Sequence, residues 1–224
     1  MRNEAFWTWF DTEAAPKLAL REISFRKIFS YLDAIDGPLT IVETGCSRQA
    51  GNWAGDGQST VLFDRYLSHA PTGSFAHTVD LDPKATELCK TLVGDRVRVH
   101  TGDSVVVLLR IADSLKSAGR TVDLLYLDSY DVDWTYPTPS AVHHLKELVS
   151  IVGVLRPDTL VVIDDAPATC RIVGGDNGQF SMISPPTVGG KGGYVAEYAN
   201  QVQAKPMFSH YQVGWTELVK DPTQ

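Results

Sequence analysis

The chain has 224 residues, 43% of them hydrophobic, and a formal net charge of -7. That length suits one domain with a substantial core, residues 1–224 taken together, and no apolar run is long enough to span a membrane. The acidic balance, with no Lys/Arg cluster, speaks against general nucleic-acid binding, which depends on neutralising phosphates.

Three cysteines (Cys46, Cys89, Cys170), far apart and odd in number, make no disulfide framework. They point to a reducing, cytoplasmic setting, and Met1-Arg2-Asn3-Glu4-Ala5 lacks the apolar core of a secretory signal. Residues 3–36 read as helical, in two pieces broken near Pro16. In the second piece Leu18, Ile23, Ile28, Leu32 and Ile35 fall on one stripe, and Asp36-Gly37-Pro38 ends it. Trp7, Trp9 and Phe10 are expected in the core or an interface, with a substrate lid as the alternative.

Thr40-Ile41-Val42 is a short β-branched run without alternation, which predicts a strand buried on both faces of a parallel sheet. Glu43 and Gly45 follow it. A charge there is costly unless it holds something polar, and the glycine lets the backbone turn sharply beside a ligand. After an insertion, Ser47 to Ala54, the segment Gly55-Asp56-Gly57-Gln58-Ser59-Thr60 leads into a helix over Val61–Leu67. Glycines and a hydroxyl at a helix start suit a carboxylate or phosphate, although Ser59 could simply cap the helix.

Four further segments repeat the pattern of an apolar strand ending in acids: Phe75–Asp82, Val97–Asp103, Val122–Asp128 and Leu160–Asp165. Strand ends at one edge of a parallel sheet converge on one crevice. Asp82 before Pro83 has a structural reason as a helix N-cap, but Asp80 has none. An acid at the end of the second strand is where an adenosine ribose is held. Asp103 or Ser104 caps the next helix, which runs to about Ser117, and either could face an adenine. The loop after Asp128 contains Pro137 and Pro139 and leads into a helix from Ser140 to about Val152, carrying His143 and His144.

Beyond Asp164-Asp165 lies a Gly/Pro/Ser-rich stretch, residues 166–193, expected to be a mobile lid. Within it Gly189-Gly190-Lys191-Gly192-Gly193 frames a lysine that could clamp an anionic substrate or act as a base. A helix over Tyr194–Gln203 and two antiparallel strands within Met207–Lys220 complete the chain. The expected fold is α/β: a Rossmann-like doubly wound sheet, mostly parallel, with a C-terminal antiparallel hairpin and N-terminal helices.

This order of elements resembles the class I S-adenosylmethionine-dependent methyltransferases. Glu43-Thr44-Gly45 is similar to their first-strand acid and glycine, and Gly57-Gln58-Ser59 to the turn receiving the cofactor's methionine part. Asp80-Leu81-Asp82-Pro83 resembles the ribose-binding segment, and Gly102-Asp103-Ser104 the adenine-side turn. Asp128 with Asp164-Asp165 resembles the magnesium site of catechol-type and antibiotic-sugar O-methyltransferases. The resemblance covers residues 39–165.

It implies S-adenosylmethionine bound by Glu43, Gly45, Gly57, Ser59, Asp80, Asp103, Ser104 and Asp128. It also implies a divalent metal, Mg²⁺ above all, on Asp128, Asp164 and Asp165. Hard oxygen ligands favour such an ion, which could hold two substrate oxygens and acidify a hydroxyl. The implied reaction is O-methylation of a small hydroxylated molecule, with an anionic acceptor and a homo-oligomer among the expectations. Candidate catalytic residues are Asp128, Lys191 and His143. The chain departs from the catechol-type enzymes in its 47–56 insertion and in carrying Asp131 where they have a lysine, three residues past the fourth-strand aspartate. The alternatives are a non-catalytic cofactor-binding protein on the same fold, or a nicotinamide-dependent oxidoreductase, disfavoured because no compact Gly-x-Gly-x-x-Gly follows the first strand.

Overall fold

A computed structural model describes residues 3–169, 172–175, 178–182 and 186–220. The N-terminal segment comprises α1 (Glu4–Trp9), a π-helical turn at Phe10–Ala14, two 3₁₀ turns at Ala15–Lys17 and Ala19–Arg21, and α2 (Glu22–Asp33). The break near Pro16 is where the sequence places it, but the second regular helix starts only at Glu22. Its buried side is Ser24, Phe25, Ile28, Phe29 and Leu32, while Ile23 is 51% exposed. The aromatic rings set the phase of the helix. Phe25 stacks on Tyr126 at 5.8 Å between centroids and Phe29 on Tyr66 at 5.0 Å, which turns Ile23 outward. Leu18 is fully buried, but from the irregular linker rather than from a helical stripe. Trp7 and Phe10 lie in the core, and Trp9 packs against Trp53.

The alternating part runs β1 (Thr40–Thr44), α3 (Trp53–Asp56), α4 (Ser59–His69), β2 (Phe75–Asp80), α5 (Pro83–Leu92), β3 (Val97–Thr101), α6 (Ser104–Ser117), β4 (Leu124–Leu127), α7 (Thr138–Ile151) and β5 (Leu160–Ile163). In the stretch expected to be a structureless lid, β6 (Ala168–Thr169) pairs with β9 (Thr187–Val188), and β7 (Ile172–Gly174) with β8 (Phe180–Met182). Backbone pairing needs no apolar period, so composition alone did not reveal these ribbons. Part of the expected lid, residues 170, 171, 176, 177 and 183–185, lies outside the described residues. A 3₁₀ turn (Gly190–Gly192), α8 (Gly193–Gln201), β10 (Pro206–Ser209) and β11 (Val213–Trp215) follow.

The main sheet has the order β10-β11-β5-β4-β1-β2-β3, parallel except for β11, which is antiparallel to both β5 and β10. It is the expected doubly wound sheet with its C-terminal antiparallel pair. Both faces are covered, so its central strands are apolar on both sides. Ile41, Tyr126 and Val162 face α1, α2 and α4, whereas Val42, Leu125, Leu127 and Ile163 face α6, α7 and α8. Among the described residues no helix is long and apolar enough to cross a membrane.

Register decides where the acids end up. Thr44 aligns with Val79 on β2 and Leu127 on β4, and Leu127 with Ile163 on β5. The ladder continues one step past the strands, with Gly45 N–H donating to Val79 O (2.8 Å), Asp128 N–H to Thr44 O (2.9 Å) and Asp164 N–H to Leu127 O (3.1 Å). Residues just past four strand ends therefore share one edge, on either side of β1, where the connections diverge.

Candidate functional site

At that edge lies a cavity of about 370 Å³, lined by Gly45, Arg48, Ser59, Asp80, Asp103, Ser104, Asp128, Tyr130 and His143 among others. Its size falls within the range of small-molecule sites. Gly45 has φ +79°, and a Cβ there would lie 2.5 Å from the Asp128 carbonyl oxygen. Only glycine permits β1 and β4 to open into their loops this closely. The Asp80 carboxylate accepts from Cys46 N–H (3.3 Å) and Asp82 N–H (2.9 Å), one on each oxygen, which fixes it at the cavity wall with lone pairs to spare. Asp82 caps α5 through Lys84 N–H and Asp103 caps α6 through Val106 N–H, so each has a structural duty. Asp103 nonetheless also lines the cavity.

Glu43 and Gly57, expected to touch a cofactor, do not line this cavity. Glu43 is 1% exposed and accepts from Ser59 Oγ (2.5 Å) and Thr60 Oγ1 (2.7 Å), tying the first turn of α4 to β1. Burial raises its carboxyl to about 7, against the pull of those hydroxyls. An acid with a raised folded-state value is fully stabilising only when protonated. The cost of ionising it appears as pH rises from the ordinary glutamate range to about 7, and amounts to roughly 3 kcal/mol. Glu43→Gln should flatten the fall in thermal stability across that window. An unchanged pH slope in the variant would show that Glu43 is not the titrating group. Gly57, at φ +70°, lies against Arg21, whose Cδ would be 3.1 Å from an added Cβ.

His143 lines the cavity, with the Tyr130 ring centroid 5.3 Å away and Ser104 Oγ 2.9 Å from its Nε2. Behind it sits Glu147, fully buried, which sequence reasoning missed because an acid in mid-helix reads as a solvated face. Its carboxylate accepts from Ser129 Oγ (2.5 Å) and Thr44 Oγ1 (3.1 Å) and lies 3.3 Å from His143 Nε2. Burial opposes ionisation of Glu147, but His143, His144 and the Ser104 and Ser129 hydroxyls hold it below the usual range. His144 is fully buried, bonded to Ser140 O, and lowered by burial to about 4. It is a core residue.

One carboxylate oxygen from each of Asp128, Asp164 and Asp165 lies within 4.8 Å of the other two. Only Asp128 of the three lines the cavity. Two protein cations already engage them. Arg21 Nε donates to both oxygens of Asp164 (2.8 and 3.1 Å) and its Nη2 to Asp165 Oδ1 (3.2 Å). Lys191 Nζ donates to Asp128 Oδ1 (2.6 Å) and to the Asp128 carbonyl (3.3 Å), and lies 3.1 Å from Asp165 Oδ2. Tyr211 Oη, from the turn between β10 and β11, donates to Asp165 Oδ1 (2.5 Å).

Three carboxylates thus face two cations, leaving one negative charge in excess. Burial, Asp164 and Asp165 push the Asp128 carboxyl well up, with Lys191 opposing. Burial also works against the Asp165 carboxylate, but Lys191, Tyr211 and Arg21 hold it below the usual range. For Lys191, burial is outweighed by the three acids, and its ammonium is held above the usual lysine range. Lys191 is therefore a charged hydrogen-bond donor in this arrangement rather than a free base.

The glycines around Lys191 serve close packing. A Cβ on Gly190 would lie 2.0 Å from Asp165 O, and one on Gly192 would lie 2.7 Å from the Ala166 Cβ. Lys191 N–H also donates to Asp165 O (3.1 Å). Asp131, three residues beyond Asp128, forms a two-pronged pair with Arg48 (3.0 and 3.1 Å), joining the 47–56 insertion to the β4–α7 loop at the cavity.

The sequence matches no family model, and no curated protein matches it at a significant level. Among solved structures, a protein from Corynebacterium glutamicum superposes with a TM-score of 0.54 at 12% identity, covering 98% of both chains. CalS11, a TDP-rhamnose 3'-O-methyltransferase of calicheamicin biosynthesis, superposes with a TM-score of 0.51 at 13% identity, covering 93% of this chain and 86% of its own. Likeness at that identity speaks for architecture. Together with the strand order and the acid-rich edge of the sheet, it shows that the chain has the class I methyltransferase fold.

Proposed function

We propose that the protein is an S-adenosylmethionine-dependent methyltransferase acting on a hydroxyl of a small molecule. The observation that carries this reading is the joint placement of Gly45, Asp80, Asp103, Ser104 and Asp128 around one cavity at the sheet edge. The donor set suits the cofactor. Asp80, anchored by two backbone N–H groups, keeps lone pairs for two ribose hydroxyls, and Ser104 and Asp103 stand at the start of α6 for the base. When bound, the cofactor supplies a methyl group on a sulfonium sulfur.

Asp128 is the group for the acceptor. It is the acid of the cluster that lines the cavity, and its raised value suits a carboxylate that takes a proton from a hydroxyl. With the cofactor bound as the methyl source, Asp128 would be the group that takes the proton of the acceptor hydroxyl. Lys191 holds Asp128 in place through a 2.6 Å hydrogen bond. A carboxyl at the cavity wall with a buried lysine behind it is more than cofactor binding requires, which favours an enzyme over a non-catalytic binding protein. Among the described residues, Arg48 is the only Lys or Arg lining the cavity, and it is paired with Asp131. This favours a neutral acceptor over the anionic one.

Against a divalent ion on the acidic triad stands the position of Lys191, whose ammonium takes the oxygens of Asp128 and Asp165 that such an ion would use. The test of the reading is to incubate the protein with methyl-labelled S-adenosylmethionine and a panel of sugars, phenols and other small alcohols, with and without chelator. Mass spectrometry should find a methyl ether formed equally well in both. No methylated product across the panel, or transfer only to nitrogen or carbon, would contradict it.

A further inference from the structure

The three acids at the ends of β4 and β5 are arranged as a cation site, and the cation is part of the chain. We infer that the Lys191 ammonium is a built-in replacement for a divalent ion at Asp128, Asp164 and Asp165, so that the protein binds no metal there. The ammonium has three protons and three acceptors around it: Asp128 Oδ1, the Asp128 carbonyl and Asp165 Oδ2. A hydrogen-bonded ammonium and a hard divalent ion ask for the same oxygens, so they exclude each other.

Arg21 engages both oxygens of Asp164 and one of Asp165, so five of the six carboxylate oxygens of the cluster already face a protein cation. Lys191 is only 1% exposed, on a turn whose neighbours Gly190 and Gly192 touch Asp165 O and Ala166. The turn cannot shift outward to admit an ion without breaking that packing. On the reading proposed above, the acceptor then binds through a single oxygen held near Asp128, rather than as a pair of oxygens chelated to a metal. Lys191 is a positioning residue, acting through Asp128.

The test is titration with Mn²⁺ alone, followed by calorimetry and by the electron paramagnetic resonance signal of the free ion. No nucleotide or acceptor is present, so the outcome is independent of whether the protein transfers methyl groups. Wild-type protein should take up no Mn²⁺ at millimolar concentration. Lys191→Ala, and Lys191→Met which preserves more of the packing, should each bind one Mn²⁺ per chain, about a hundredfold or more tighter than wild type. Adding Asp165→Asn to either variant, which removes an acid that Lys191 had engaged, should weaken that binding.

Uptake of one Mn²⁺ by wild-type protein, lost in Asp165→Asn, would overturn the inference. So would a folded Lys191→Met that binds no Mn²⁺. If Lys191→Ala unfolds on its own, restoration of its melting transition by Mn²⁺ would support the inference as directly as a binding curve, and the wild-type titration needs no variant.

Discussion

Arg21→Met should destabilise the protein by about 3–5 kcal/mol, measured as a fall in the urea midpoint at constant m-value. Arg21 is 7% exposed and Asp164 is fully buried. The substitution retains most of the aliphatic volume but leaves the Asp164 carboxylate without the guanidinium that hydrogen-bonds both its oxygens. Removing one partner of a buried pair costs far more than the pair contributes as a whole. Arg21 also donates to Ala54 O and lies over the Tyr211 ring, so it joins the N-terminal segment, the 47–56 insertion and the C-terminal hairpin at the site. Arg21→Lys keeps the charge but not the two-pronged geometry and should recover only part of the loss. Arg26→Met is the contrast. Its ion pairs with Asp11 and Glu22 are exposed, and their loss should cost less than about 1 kcal/mol. Equal small effects at Arg21 and Arg26 would mean that the buried pair is not an anchor.

Asp128→Asn should lower turnover by roughly 10²–10⁴ while leaving S-adenosylhomocysteine affinity nearly unchanged. Asparagine preserves the shape and still accepts from Lys191, but cannot take the acceptor's proton. Because burial and the neighbouring acids raise the Asp128 carboxyl, wild-type turnover should fall with decreasing pH from above the usual carboxylate range. The ionised carboxylate is the active form, so activity is present above the raised value and lost below it. That limb should be absent from the residual activity of the variant. Steady-state kinetics on an acceptor identified in the panel, with calorimetry for the product cofactor, separates the two effects. A variant with normal turnover and weakened cofactor binding would make Asp128 a cofactor ligand only.

The sheet and its acid-rich edge were legible because buried parallel strands must be written as short β-branched or aliphatic runs, and each here ends in an acid. Gly45, Asp80, Asp103, Ser104 and Asp128 could be brought together on paper because strand ends in such a sheet share one side. Arg21 could not be found this way. A single arginine in a helical segment has no periodicity, and its partner is 143 positions away. Glu147 was hidden for the same reason, since its partners Thr44 and Ser129 lie on other elements. Lys191 was visible, but its glycines were taken for mobility. Glycine serves motion and close approach equally in sequence, and only the packing at Gly190, where an added Cβ would lie 2.0 Å from Asp165 O, shows the close approach. The phase of α2 was misread at Ile23 because the aliphatic residues were weighed without Phe25 and Phe29.

The most direct test of the cofactor site is calorimetric titration of S-adenosylhomocysteine into wild-type protein and into Asp80→Ala, with NADH as the competing ligand and thermal unfolding as a check on folding. One S-adenosylhomocysteine per chain is expected, with no NADH binding and a loss of roughly ten- to hundredfold in affinity for Asp80→Ala, the worth of hydrogen bonds to a charged group. Tight NADH binding with no response to S-adenosylhomocysteine would contradict this expectation.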